Sequence, residues 1–185
     1  MSNLSIVGIA GSLTTPSSSR RLVDLTLAQI GQRIAGNSHV IDIAALGSLA
    51  VHSREAADEE LEAALRAVEE ADLIVAATPV YKGSYSGLFK HFVDLLDYRS
   101  LVGTPVGLLA TGGSERHALV VEHQLRPLFA VFQAQVLGTG LFVTAKDMAD
   151  GRITDPTVLS RFERLIDEAV DALAARSTAK ERTAA

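Results

Sequence analysis

Apolar residues run through this chain in two alternating rhythms. Short unbroken runs, among them Ile6-Val7-Gly8-Ile9-Ala10 and Leu73-Ile74-Val75-Ala76-Ala77, are the pattern of strands buried on both faces of a parallel sheet. Between them lie longer stretches with helical apolar spacing, suited to covering such a sheet. The alternation predicts strands near 4–10, 38–43, 72–78, 105–111 and 136–143, and helices near 19–35, 56–71, 87–98, 116–132 and 156–175. Residues 176–185 carry no apolar stripe and are predicted to fray, which leaves a single domain over 1–175 followed by a disordered tail.

The order of elements is that of a flavodoxin-like α/β fold, a doubly wound five-stranded parallel sheet in the order 2-1-3-4-5. In such sheets ligands sit outside the carboxyl ends of the strands, where strand order reverses, and three loops meet there. After the first strand, Gly11-Ser12-Leu13-Thr14-Thr15-Pro16-Ser17-Ser18-Ser19-Arg20-Arg21 opens a helix whose free amides, hydroxyls and positive dipole end suit a phosphate. One serine is enough for an N-cap, so three in a row exceed what capping needs. The glycine spacing is wrong for G-x-G-x-x-G and no Gly-Lys-Ser/Thr triplet is present, which argues against a dinucleotide in the Rossmann pose or a Walker loop. After the third strand, Thr78-Pro79-Val80-Tyr81-Lys82-Gly83-Ser84-Tyr85-Ser86-Gly87 offers flat apolar surfaces beside backbone that a planar ring can approach. After the fourth, Thr111-Gly112-Gly113-Ser114 offers amides for the polar edge of a heterocycle, or simply a tight turn. Together a phosphate site and two ring-binding loops point to FMN.

Composition narrows the partners. The 185 residues are 48% hydrophobic and carry a net charge of −5, which gives no global attraction to nucleic acid or anionic membranes. With no cysteine, disulfides, thiolate metal sites and cysteine nucleophiles are excluded, and a reducing cytoplasm is the expected home. No apolar stretch approaches the ~20 residues needed to cross a bilayer, and the amino terminus enters a strand directly without a leader-like segment. A soluble, unexported protein with small-molecule substrates is expected.

The serine loop, Thr78 to Gly87 and Ala110 to Ser114 together resemble the NAD(P)H-dependent FMN reductase family over nearly the whole chain. Ala110-Thr111-Gly112-Gly113-Ser114-Glu115-Arg116-His117-Ala118-Leu119 and Glu122-His123-Gln124-Leu125-Arg126-Pro127-Leu128-Phe129 most resemble the reductase component of two-component alkanesulfonate and methanesulfonate monooxygenase systems. The resemblance implies hydride transfer from NADH or NADPH to free FMN, and supply of reduced flavin to a partner monooxygenase. It implies FMN contacts from Ser12, Ser17, Ser19 and Arg20 at the phosphate, from Pro79, Val80, Tyr81 and Lys82 along the ring, and from Thr111, Gly112, Gly113 and Ser114 at its far edge. In the family an arginine stands among the positions held here by Thr14, Thr15 and Ser18. Hydride transfer needs the two rings stacked with reacting atoms ~3–3.5 Å apart, so no catalytic acid or base is assigned. A quinone, azo or metal-ion reductase with bound FMN, or a flavodoxin-type electron carrier, would share these loops.

Pro127 interrupts the apolar helical run from Ala118 to Phe132. It has no N–H for the carbonyl of His123 and clashes with it, so a kink or π-bulge is expected. The resemblance implies an aromatic residue inserted in a π-helix at a tetramer interface, at the position of His123. His117 and His123 are six residues apart, about 240° around an α-helix, and are no metal pair. Leu119, Val120, Val121, Leu125, Leu128, Phe129, Val131 and Phe132 surround more of the helix than the sheet can cover, so burial against a symmetry mate is expected, and with the resemblance this implies a homotetramer built as a dimer of dimers.

Overall fold

A computed structural model describes residues 4–47 and 49–184. Strand β1, Ser5–Ala10, lies between β2, Asn37–Asp42, and β3, Leu73–Pro79; β3 pairs in turn with β4, Pro105–Gly112. Every pairing on this path is parallel, and the order is β2-β1-β3-β4-β5. This is the flavodoxin-like arrangement expected from the alternation of apolar patterns.

The strand pleat divides the core between two faces. Val7, Ile9, Ile74, Ala76 and Leu108 pack with Leu61, Leu65, Phe89, Phe92 and Phe129, contributed by helices α2, Glu59–Glu69, α3, Gly87–Asp94, and α4, Arg126–Ala130. Ile6, Leu73, Val75 and Leu109 pack on the other face with Leu22, Ile30, Leu165 and Ile166 from α1, Ser18–Gly31, and α5, Pro156–Ala184. Two-sided burial is why these strands read as continuous apolar runs.

Three expectations change. The strand expected over 136–143 is two pieces, β5, Gln135–Val136, and β6, Leu141–Thr144, each parallel to β4. Pro105 pairs with Gln135 and Leu109 with Leu141, so two extra residues bulge between the pieces. Arg126 donates to the carbonyls of Leu137 and Gly138, and Glu168 accepts from the Thr139 amide and hydroxyl, which satisfies the bulged backbone. The helix expected over 116–132 is broken into a 3-10 turn, Glu115–His117, a π-helical turn, Val121–Leu125, and α4. The π-turn falls immediately before Pro127, with the Arg126 amide donating to the Val121 carbonyl, as the proline's missing donor leads one to expect. The last helix does not stop near 175. Residues 176–184 extend it, because Lys180 and Arg176 both reach the buried carboxylate of Asp72 at the amino end of β3.

Candidate functional site

A cleft of roughly 680 Å³ opens at the carboxyl ends of β1, β3, β4 and β6, within the size range of sites for small ligands. Its first wall is the hydroxyl loop. Ser17 is the N-cap of α1, its Oγ accepting from the Arg20 amide at 3.1 Å and lying 2.9 Å from Ser19 Oγ. Ser12 folds its hydroxyl onto the backbone of Thr14. Among the described residues the amides of Ser18 and Ser19, in the first turn, have no acceptor. Such amides sit at the positive end of the helix and are suited to an anion.

The second wall is the loop after β3. Val80 donates its amide to the Thr111 carbonyl, which ties this loop to the end of β4. Ser86 caps α3 and donates to the Gly11 carbonyl at 2.6 Å, which ties it to the hydroxyl loop as well. The third wall is Thr111, Gly112 and Gly113; at Gly113 an added Cβ would meet nothing within 4 Å. The fourth follows β6: Val143, Thr144, Ala145 and the tip of a hairpin, Met148 to Gly151. That hairpin pairs β7, Met148–Ala149, with β8, Arg152–Ile153, across Asp150 and Gly151, both at positive φ.

Of the residues expected at the site, Ser12, Ser17, Ser19, Pro79, Val80, Tyr81, Thr111, Gly112 and Gly113 line this cleft. Arg20, Lys82 and Ser114 do not. The Arg20 guanidinium donates to Asp24 at 3.0 Å and to Asp42 of β2 at 3.3 Å. The Asp24 hydrogen bond is the main reason its pKa is raised, with Asp42 adding to it. Arg20 is thus engaged by two carboxylates. Its neighbour Arg21 lines the cleft, and its guanidinium bonds only to the Ser18 hydroxyl among the described residues. Lys82 stands exposed on the turn beside Tyr81, and Ser114 Oγ accepts from the Arg116 amide to cap the 3-10 turn. Sequence reasoning missed Arg21 and the fourth wall. Asp150-Gly151 is a two-residue hairpin signal that marks the hairpin, although nothing local says that it folds back over the cleft.

Arg21 and Asp150 are the charged residues lining the cleft. The cleft combines a cationic, hydroxyl-rich end with a wall of Pro79, Val80, Tyr81, Val143 and Met148. Such a pairing suits a phosphorylated planar heterocycle, and the donor set at the α1 amino terminus fits a phosphate.

A family model described as NADPH-dependent FMN reductase matches residues 4–149. The chain is 44% identical over 168 residues to the NADH-dependent FMN reductase SfnF of Pseudomonas fluorescens (strain Pf0-1), covering 90% of each chain. It is 43% identical over 176 residues to an FMN reductase (NADPH) of Pseudomonas aeruginosa, covering 93% of this chain and 94% of that one. Among solved structures, the apo form of the NADH:FMN oxidoreductase EMOB superposes with a TM-score of 0.84 at 30% identity, covering 91% of this chain and 89% of that one.

Proposed function

Because the chain belongs to the NADPH-dependent FMN reductase family and is an NAD(P)H-dependent FMN reductase, we propose that its cleft takes FMN as an exchanging substrate and that the reduced flavin serves a flavin-dependent sulfonate monooxygenase. FMN supplies the hydride acceptor and the nicotinamide nucleotide the hydride. The protein's part is to bind and orient. The Ser12, Ser17 and Ser18 hydroxyls, the Ser18 and Ser19 amides and Arg21 hold the phosphate. Pro79, Val80 and Tyr81 form the ring wall, and the Thr111 to Gly113 backbone meets the polar edge. Arg21 takes the place of the arginine that the family carries earlier in this loop.

The observation that carries this reading is that first-turn amides of Ser18 and Ser19 without an acceptor and Arg21 without a carboxylate partner, both among the described residues, lie on one cleft with an apolar ring wall. The open approach to that cleft, with Tyr81 43% exposed, supports exchange over permanent retention. The sulfonate role is supported by the resemblance of the Ala110 to Leu119 and Glu122 to Phe129 segments to the reductase component of two-component sulfonate monooxygenase systems. The same reading puts the chain in the cytoplasm, in keeping with its lack of cysteine. A homotetramer is supported by Leu119 and Val131, 63% and 67% exposed on either side of the π-turn that carries His123, where a symmetry mate would cover them.

The deciding experiment is steady-state oxidation of NADH and NADPH with FMN as the varied substrate. The protein is expected to purify largely colourless, to saturate with FMN and to turn over many times. A tightly yellow protein that oxidises one nucleotide per bound flavin refutes the exchanging-substrate reading. Sedimentation of a monomer at micromolar concentration refutes the tetramer.

A further inference from the structure

The turn that carries Tyr81 is held from outside its own loop. Tyr81 and Ser84 exchange backbone hydrogen bonds of 2.9 and 3.1 Å around Lys82 and Gly83, whose φ values of 53° and 81° make a two-residue turn of the primed kind. Gly83 adopts that backbone freely. Lys82 does not, because its Cβ crowds the following carbonyl, and a strained turn persists where its surroundings over-determine it. Ser84 Oγ donates to Oε1 of Gln124 at 3.1 Å. The neighbouring Tyr85, Phe89 and Phe129 rings pack in sequence at tilted angles, with centroids 6.1 and 6.5 Å apart, and form an apolar floor.

Gln124 stands in the π-helical turn, and the rest of that turn is pinned to the sheet. At Gly140 an added Cβ would come within 2.3 Å of Val121 Cγ1, so Val121 seats directly on the backbone there. Arg126 clamps the bulge between β5 and β6, while Leu125 and Phe129 are fully buried. A regular α-helix would rotate the residues after Val121 by about 100° per residue removed, so the extra residue lets the core contacts and the Gln124 contact coexist.

We propose that Gln124 is a positioning residue for the flavin site: it accepts from Ser84 Oγ and holds the Tyr81–Ser84 turn in the shape that presents Tyr81 to the cleft. The π-helical geometry of Val121–Leu125 therefore sets the place of the ring wall. This rests on the reading of the cleft as an FMN site.

The test compares Gln124→Met, which removes the acceptor at similar volume, Gln124→Glu, which keeps it, Ser84→Ala and the Gln124→Met/Ser84→Ala double variant. Two quantities are read: hydrogen exchange at the Tyr81 and Ser84 amides in flavin-free protein, and FMN affinity by fluorescence titration alongside kcat. Gln124→Met and Ser84→Ala are each expected to speed exchange at both amides and to weaken FMN binding roughly three- to tenfold. The double variant should be no worse than either single one, and Gln124→Glu should behave as wild type. Wild-type exchange and affinity in Gln124→Met, or additive losses in the double variant, overturn the proposal. Failure of the wild-type protein itself to bind FMN overturns the flavin reading, and is distinguished by faster exchange persisting in Gln124→Met.

Discussion

At the amino end of the sheet Asp72 is 1% exposed, and Lys180, Arg176 and the Ser5 amide converge on its carboxylate. At the carboxyl end, serine hydroxyls, first-turn amides and Arg21 converge without a carboxylate partner for Arg21 among the described residues. Both places gather donors at the end of the same strands. In the first the chain supplies its own anion, and the cluster closes a helix onto the sheet. In the second the donors remain available to a ligand. The adjacent residues Arg20 and Arg21 show the difference within a single turn, since Arg20 is taken by Asp24 and Asp42 and Arg21 is left to the cleft.

The contrast is broken most severely by ending the chain after Ala175. That removes both cations from Asp72 and the Arg176 hydrogen bond to the Gly103 carbonyl, and because the two cations are themselves partly exposed the loss is about 2 kcal/mol, below that for a fully buried pair. Urea unfolding should show that loss, with FMN affinity unchanged. Equal stability of the shortened chain would mean that the helix extension is not seated on Asp72. At the other end, Arg21→Ala should weaken FMN binding by about 1.5 kcal/mol, the low end for a charge-assisted contact because the site is open to water. Riboflavin, which lacks the phosphate, should bind as before. Arg20→Ala should leave FMN affinity nearly unchanged, and the reverse ranking of the two arginines would overturn their assigned roles.

A smaller effect sharpens the comparison through pH. Burial by itself would raise the Asp72 carboxyl, but Lys180, the Ser5 amide and Arg176 together hold it below the ordinary value of 3.8. The unfolded chain therefore takes up a proton at Asp72 before the folded one does. Its contribution is fully present above about pH 4 and is lost as pH falls through the lower folded value. Acid titration of stability should show this loss in the wild type and not in Asp72→Asn, while the phosphate end, built from hydroxyls, amides and arginine, should add no acid step of its own. The surface network of Arg54 with Glu62 and Glu69 is the control. Hydrogen bonds from Arg54 and Arg66 hold the Glu62 pKa at about 2, and high salt should weaken the network's effect on stability without erasing it, because Arg66 is exposed while Arg54, Glu62 and Glu69 are half-buried.

The chain's own pattern determined the doubly wound sheet, because burial on both faces forces apolar runs that no other arrangement of these lengths requires. It also determined the irregular turn before Pro127, since a missing N–H is a property of one residue and acts on a carbonyl four residues away. The three loops at the carboxyl ends were legible for the same local reason: proline, glycine and serine restrict or free the backbone wherever they stand. Only the tertiary structure decided which arginine faces the cleft, because the partners that engage Arg20 include Asp42, twenty-two residues on at the end of β2. It alone decided the break between β5 and β6, where side chains of α4 and α5 take over the backbone's hydrogen bonds, and the extension of the last helix, whose polar residues 176–184 carry no stripe but find Asp72 more than a hundred residues away. In each case the determining free energy lies in a pairing between segments distant in sequence, and such pairings leave no period to read.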